Sequence, residues 1–355
     1  MSYCSERVSR KIVVLSFCAM VTVLSIHSDP LALMQVGPIP KATSCVLSWF
    51  RMWAIPFFYL VSGFFFSRYL SMHEDFSYGA FMRKKWRGLV IPYFCWGAIY
   101  GTLLYIPLYA LVNHGHGAPL LKGTPFAAAT IPLTVDRILG ILNDSPTNGA
   151  LWYVRMIVIF FALAPIWRFI QRHCDWIFLI AGLPLAIVCG VIGDKHDEIA
   201  TICGLPVFIK YGAVGYLFLG MWCSIHKMEE RRGNWVLVAI AAVLGVVVVN
   251  EAPRQFFAAP FFTVFFWSLY DCVPWHLPTR LPWIFSLSFW IYCMHHPLCG
   301  YAGAGLRMVL GKQGNVAYFV ILIGAPLAVL LIATSVAGIV RHFAPKMFAL
   351  LNGGR

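Results

Sequence analysis

The chain is short of charge. Only 12% of its 355 residues are Asp, Glu, Lys or Arg, and acids are the scarcer kind, 14 against 27 bases. A soluble domain carries about 25% charged residues. Half that density cannot cover a water-facing surface of this size, so the bilayer has to be the solvent for most of the chain. Ligand spacings for a metal site are lacking too. The nearest thing to one is His-Gly-His-Gly at 114–117, a His-x-His pair with no further ligands in register, and it reads as part of a solvated loop. A small-x-small cleavage site is missing after the first apolar run, where His27-Ser28-Asp29-Pro30 follows instead. That run reads as an uncleaved first transmembrane helix rather than a removable signal.

What is present is apolar. Hydrophobic residues make up 60%, aromatics 16%, and the mean hydropathy is +0.76. Ten segments have roughly the 20 mostly apolar residues a span needs: 12–34, 51–70, 88–112, 151–170, 175–193, 206–226, 234–250, 256–273, 283–305 and 316–340. Pro253 and Pro260 blur the boundary between the seventh and eighth. The fold expected is all-α, a polytopic integral membrane protein of about ten transmembrane helices. One membrane-embedded domain is expected over 1–345, with a short cytoplasmic tail at 346–355 and no soluble domain.

The net charge of +13 suggests nucleic acid in a soluble protein. No compact basic domain exists here to hold such a site, and cytoplasmic loops of membrane proteins gather Lys and Arg anyway. No nucleic-acid partner is therefore expected. With the N-terminus inside, 17 of the 27 bases fall at cytoplasmic ends, which leaves ten elsewhere and supports both termini being inside. The 11 cysteines, among them Cys18, Cys95, Cys189, Cys223 and Cys293, sit mostly within apolar runs and read as small buried hydrophobes. Cys45 and Cys203 fall in candidate outer loops and could pair.

Several ionisable residues lie where lipid should be. Under this topology His27 is near the outer end of the first helix and Arg51 at the outer start of the second. Arg155 lies one turn into the fourth, and His295 is past the midpoint of the ninth. Four helices thus bring four such groups to similar depth. Each costs roughly 2.5–3.5 kcal/mol in the apolar core, so such groups persist where they face a polar cavity. Arginine at a helix end can instead snorkel to the headgroups; histidine is too short to do so well. Within the second segment, Ser62-Gly63 reads as a packing notch, and Pro56 frees a backbone carbonyl near Arg51. On the cytoplasmic side, Arg83, Lys84, Lys85 and Arg87 surround Trp86. Ordinary cytoplasmic positive charge accounts for much of this cluster, which could also hold the phosphates of a cofactor.

These residues carry a resemblance. RMWAIPFFYLVSGFFF at 51–66 resembles the second-helix signature of the acyltransferase-3 family of integral membrane O-acyltransferases. Four further stretches agree in order: IHS at 26–28, KKWRGLVIPYFCW at 84–96, ALWYVR at 150–155 and SFWIYCMHHPL at 288–298. The resemblance implies transfer of an acyl group, commonly acetyl, from cytoplasmic acyl-CoA to a hydroxyl of an extracytoplasmic glycan or lipid-linked sugar. It implies a bacterial plasma (inner) membrane location and no metal. The essential first-helix histidine carries over to His27, and the basic motif to Lys84 and Arg87, with Arg83 beside them as a further candidate for the donor. Two positions depart from the pattern. Ser16 stands where many members have Arg, and His296 stands where some relatives have an acid.

Acyl transfer to an alcohol needs a base for the hydroxyl proton and a group to hold the developing oxyanion. His27 suits the base, since imidazole titrates near neutrality. Asp29 either orients it or is a helix-end acid, the second fitting better because residues two apart do not face each other on a helix. Arg51 or Arg155 could stabilise the oxyanion or bind the acceptor. His295 could be a second base or a nucleophile, so direct transfer and an acyl-histidine route both stay open. A different class, a non-enzymatic exporter of a glycan or small anion, would also suit ten helices. Against it stand polar groups gathered toward one face and the lack of an inverted repeat.

Overall fold

The computed structural model describes residues 4–105, 148–192, 198–202, 205–251, 258–274, 278, 280–311 and 313–354. The His-Gly-His-Gly stretch, Cys203 and Pro253 lie outside them. The described chain is helical apart from one antiparallel hairpin, β1 (Glu198–Ile202) with β2 (Leu205–Lys210). The hairpin takes the first residues of the expected sixth span, whose helix begins only at Tyr211. Among the described residues, Glu6–Leu33, Pro38–Met72 and Asn315–Phe343 are long and apolar enough to cross a membrane. A bent pair of helices, Gly149–Ala162 and Ala164–His173, forms a fourth such stretch, and the remaining apolar helices are shorter.

The chain divides into two compact units. The first comprises Met1–Ala19, Ser48–Arg83 and Met156–Phe285. It contains the start of α1 (Glu6–His27), α3 (Ala54–Met72), α4 (Tyr78–Lys85) up to Arg83, α6 (Trp152–Ala162) from Met156 onward and α7 (Ala164–His173). It continues with α8 (Ile177–Ile192), α9 (Tyr211–Ile225), α10 (Trp235–Glu251) and α11 (Ala259–Cys272). Two glycines set its tightest contact. A Cβ on Gly63 would come within 2.0 Å of the Leu217 carbonyl oxygen, and one on Gly220 within 2.0 Å of that of Leu60. The backbones of α3 and α9 therefore touch, which only residues without a side chain permit. Gly63 is the packing notch expected of it.

Two buried charges in this unit, Lys11 and Glu229, are tied by ion pairs. Lys11, fully buried, donates to Asp271 at 2.7 Å and lies 3.8 Å from the centre of the Trp267 ring. Asp271 also accepts from the Gly233 amide at 2.8 Å, and Arg68 pairs with buried Glu229. By contrast Trp235, Val236, Ile240 and Val243 of α10 are exposed, as an apolar face turned to lipid would be.

Two breaks have a proline behind them. The second expected span, 51–70, is really α3 preceded by a separate helix, α2 (Pro38–Arg51), interrupted at Met52-Trp53. Pro56 has no N–H to give the Met52 carbonyl, and its ring crowds that oxygen, so the helix cannot run through. Arg51 is thus the last residue of α2, not the first of a span. At 9% exposure it lies at the negative end of that helix dipole. Likewise Pro165 opens α7, and the chain bends by 62° after α6. A window tuned to 20 apolar residues passes over α2, which has 14 residues and puts Lys41, Thr43, Ser44 and Ser48 among apolar ones.

The second unit comprises Met20–Leu47, Lys84–Arg155 and Ser286–Arg355. In it, a π-helical turn at Trp86–Val90 leads into α5 (Ile91–Tyr100), and α12 (Ser288–Leu310) packs on α13 (Asn315–Phe343), with the Trp290 indole donating to Ala333 O at 3.1 Å. The last residues, read as a tail, form α14 (Pro345–Leu351). It docks on α5 through the Trp96 indole, which donates to Leu351 O at 3.0 Å.

Candidate functional site

The site lies within the second unit, at the end of α1. His27 is the last residue of that helix and is exposed to a cavity. The backbone then turns, and Asp29 closes the turn by accepting from the Leu31 amide at 3.0 Å. The other carboxylate oxygen accepts from Ser44 Oγ of α2 at 2.7 Å, while Tyr318 OH of α13 lies 3.5 Å from the first. Asp29 therefore ties the end of α1 to α2 and α13. Further anchorage comes from Gly37 N to Asn315 Oδ1 at 3.0 Å and Gly314 N to Gln35 O at 3.2 Å.

Against His27 stand two more imidazoles. The His27 and His295 ring centres are 5.0 Å apart, and so are those of His27 and His296; His295 and His296 are 6.2 Å apart. His295, 1% exposed, is the buried member. Its Nδ1 lies 2.6 Å from the Tyr292 carbonyl oxygen. A carbonyl can only accept, so Nδ1 carries the hydrogen and, in the neutral ring, Nε2 keeps the lone pair. That Nε2 is buried with no hydrogen-bond partner among the described residues. A neutral imidazole with a bare nitrogen beside a second imidazole on a cavity wall can accept a proton and pass it on.

The turn of α12 that carries His295 is held from outside the helix. Pro297 has no N–H to give the carbonyl four residues back, that of Cys293. The vacancy is filled by Asn148, whose Nδ2 donates to Cys293 O at 2.8 Å. The next carbonyl, of Met294, accepts from Tyr100 OH of α5 at 2.8 Å. Asn148 is fully buried, and its Oδ1 also caps the short 3-10 turn Gly149–Leu151 by accepting from Ala150 N at 3.1 Å. Gly149 then packs against His296, so closely that a Cβ would fall 2.8 Å from His296 Cε1. Tyr292 OH completes the clamp by donating to Ala150 O.

Of the four residues expected to share a depth, His27 and His295 meet. Arg155 belongs to the same unit, one turn into α6, whose first residues pack on α12 through Tyr153 and Tyr292, ring centres 5.5 Å apart. Arg51 belongs to the first unit, at the end of α2, and is described with it. Lys84 and Arg87 are exposed at the π-helical turn of the second unit, Lys84 just before it and Arg87 within it, while exposed Arg83 closes the described boundary of the first unit. The turn itself is backed by the C-terminal residues: a Cβ on Gly353 would lie 2.5 Å from Gly88 O.

The sequence marked His296 as a departure from the family pattern and not as a site residue, and gave no notice of the Asn148-Gly149 turn. Their signal was the proline after the paired histidines, which obliges some other group to satisfy the Cys293 carbonyl. No group of three or more His, Cys, Asp or Glu residues able to hold a metal ion occurs among the described residues.

The cavity is about 210 Å³ and is lined by His27, Ser28, Asp29 and His296, among others. The acyltransferase domain family matches residues 14–335, nearly the whole chain. The succinoglycan biosynthesis protein ExoH of Rhizobium meliloti (strain 1021) is 21% identical, over 87% of this chain and 83% of that protein. No solved structure matches. The chain belongs to the acyltransferase-3 family of membrane-embedded acyltransferases.

Proposed function

We propose that this acyltransferase moves an acyl group, acetyl in the simplest case, from cytoplasmic acyl-CoA to a hydroxyl of an extracytoplasmic polysaccharide or its lipid-linked precursor, across a bacterial inner membrane. The observation that carries the reading is the contact of His27 with His295 and His296 at the wall of a cavity. The relative named for succinoglycan biosynthesis supports a glycan acceptor. In this reading the chain crosses the membrane ten times with both termini inside; a reporter fused to the C-terminus and found outside would overturn it.

His27 takes the proton from the acceptor hydroxyl as its oxygen bonds to the acyl carbonyl carbon. The C–S bond then breaks, and the CoA thiolate leaves and is protonated. The bare Nε2 of His295 lets that ring receive charge or proton from its neighbour, and the Tyr292 carbonyl fixes which nitrogen is bare. Arg155 is the candidate in this unit for steadying the oxyanion, with Arg51 the second. Lys84 and Arg87, with Arg83, would hold the CoA phosphates; as exposed cations at the end of α4 and on the turn after it they suit phosphate oxygens.

The test uses the purified full chain in liposomes with acetyl-labelled acetyl-CoA and a cell-surface polysaccharide fraction. Base-labile label on the glycan is expected. Hydrolysis of acetyl-CoA without transfer, or no turnover at all, would count against the reading.

A further inference from the structure

The α12 helix does not stop contributing to the cavity at His296. Cys299, Gly300, Gly303 and Arg307 continue along its wall. Offsets of three or four, seven and eleven from His296 put them on one face of the helix. Gly300 and Gly303 offer no side chain, so the wall between His296 and Arg307 is open. Helical side chains lean toward the N-terminus, and Arg307 does so here: a Cβ on Gly303, one turn back, would lie 3.3 Å from its Nη1. The guanidinium is thus folded toward the histidines rather than stretched out past the helix end.

Arg307 is half-buried, yet it takes part in none of the ion pairs among the described residues. Asp29, the one carboxylate lining the cavity, is engaged by Leu31 N, Ser44 and Tyr318. No acid occurs anywhere on α12. The cavity therefore holds an uncompensated planar cation beside Gly303, about 10 Å of helix axis from His296 at about 1.5 Å per residue. A guanidinium in that setting fits a two-oxygen anion.

We propose that Arg307 is the specificity residue for the acceptor: it binds an anionic group, carboxylate or phosphate, carried by the sugar whose hydroxyl is presented to His27. The proposal rests on the acyltransferase reading and its topology, in which α12 runs outward, so that Arg307 lies at the end where a glycan arrives. The donor enters at the opposite end, by Lys84 and Arg87. A carboxylate would belong to an acidic sugar in the chain, a phosphate to the lipid-linked carrier.

The experiment uses the full chain in nanodiscs and three radiolabelled probes: cellobiose, its uronic-acid counterpart, and cellobiosyl phosphate. Equilibrium binding is measured without acyl donor, then acetyl transfer with it. One acidic probe should bind about tenfold or more tighter than cellobiose, the scale of a charge-assisted pair. Arg307→Gln should bring that ratio to near one, through KM rather than kcat, and Arg307→Lys should restore part of it. Arg341→Gln, on an exposed position of α13, should leave the ratio alone. Whichever acidic probe wins tells acidic sugar from phosphate carrier. Equal binding of all three probes, or a preference that survives Arg307→Gln, overturns the proposal. Should Arg307→Gln fail to fold, the Lys variant and loss of the preference with added salt decide it. Transfer without charge preference sinks Arg307 and spares the enzyme reading; preference without transfer does the reverse.

Discussion

His27, the last residue of α1, has its ring centre 5.0 Å from that of His295, 268 positions further along the chain. One ring is exposed to the cavity and the other is buried behind it with a bare nitrogen. If this pair moves the hydroxyl proton, His27→Ala should insert and fold normally but lose about 10²–10⁴-fold in acyl transfer, the usual range for a positioned base. Retention of more than about a tenth of the activity at normal expression would end the assignment. The His295→Ala variant separates the two routes: label trapped on His295 in a His27 variant establishes an acyl-enzyme, whereas equal loss without label fits two cooperating bases.

Gly149 holds the third imidazole in place. Its substitution by Ala would put a methyl 2.8 Å from His296 Cε1 and must push the ring or the 3-10 turn aside. Gly149→Ala should lower transfer clearly, while adding little in a His296→Ala background, because residues sharing one contact are not additive. Additive losses in the double variant would mean that the glycine acts through the turn rather than through the imidazole.

The donor side can be probed from two directions. Neutralising Lys84 and Arg87 together should raise the KM for acyl-CoA and leave the acceptor KM nearly unchanged. Gly353→Ala, which touches neither cation, should shift the same parameter in the same direction. Its Cβ would meet Gly88 O at 2.5 Å, and its φ of +69° suits glycine. Unchanged donor kinetics in the double variant would return these bases to ordinary cytoplasmic charge.

The contact of α3 with α9 should tolerate nothing larger than glycine. Gly63→Ala places a methyl 2.0 Å from a backbone oxygen, which cannot swing away as a side chain could. Destabilisation of about 1–3 kcal/mol or more is expected from such overpacking, read as a fall in melting temperature in detergent. An unaltered melting curve would show that the two helices are free to part.

Much of this was legible in one dimension. Scarcity of charge demanded lipid, asymmetry of bases suggested sidedness, and five spaced signatures pointed to the family. Gly63 could be read as a notch because small residues inside an apolar run have few other uses, and Pro56 as a loosening point because a missing N–H is visible in the letters. The meeting of His27 with His295 was suggested by depth, since rise per residue is fixed along a helix.

Depth is one coordinate, however, and the others come from packing. Nothing local in the letters says that His296 turns to the same cavity, or that Asn148 reaches the carbonyl Pro297 leaves vacant. Those facts depend on where a 3-10 turn at 148–151 meets a helix nearly 150 residues later. Arg51 shows the converse: sequence put it at the head of a span, whereas the break enforced by Pro56 makes it the last residue of α2. Composition chose the solvent and the class, because transfer free energies add residue by residue. The tertiary structure alone chose which polar groups share a cavity, because close contacts between distant helices admit only one arrangement of them.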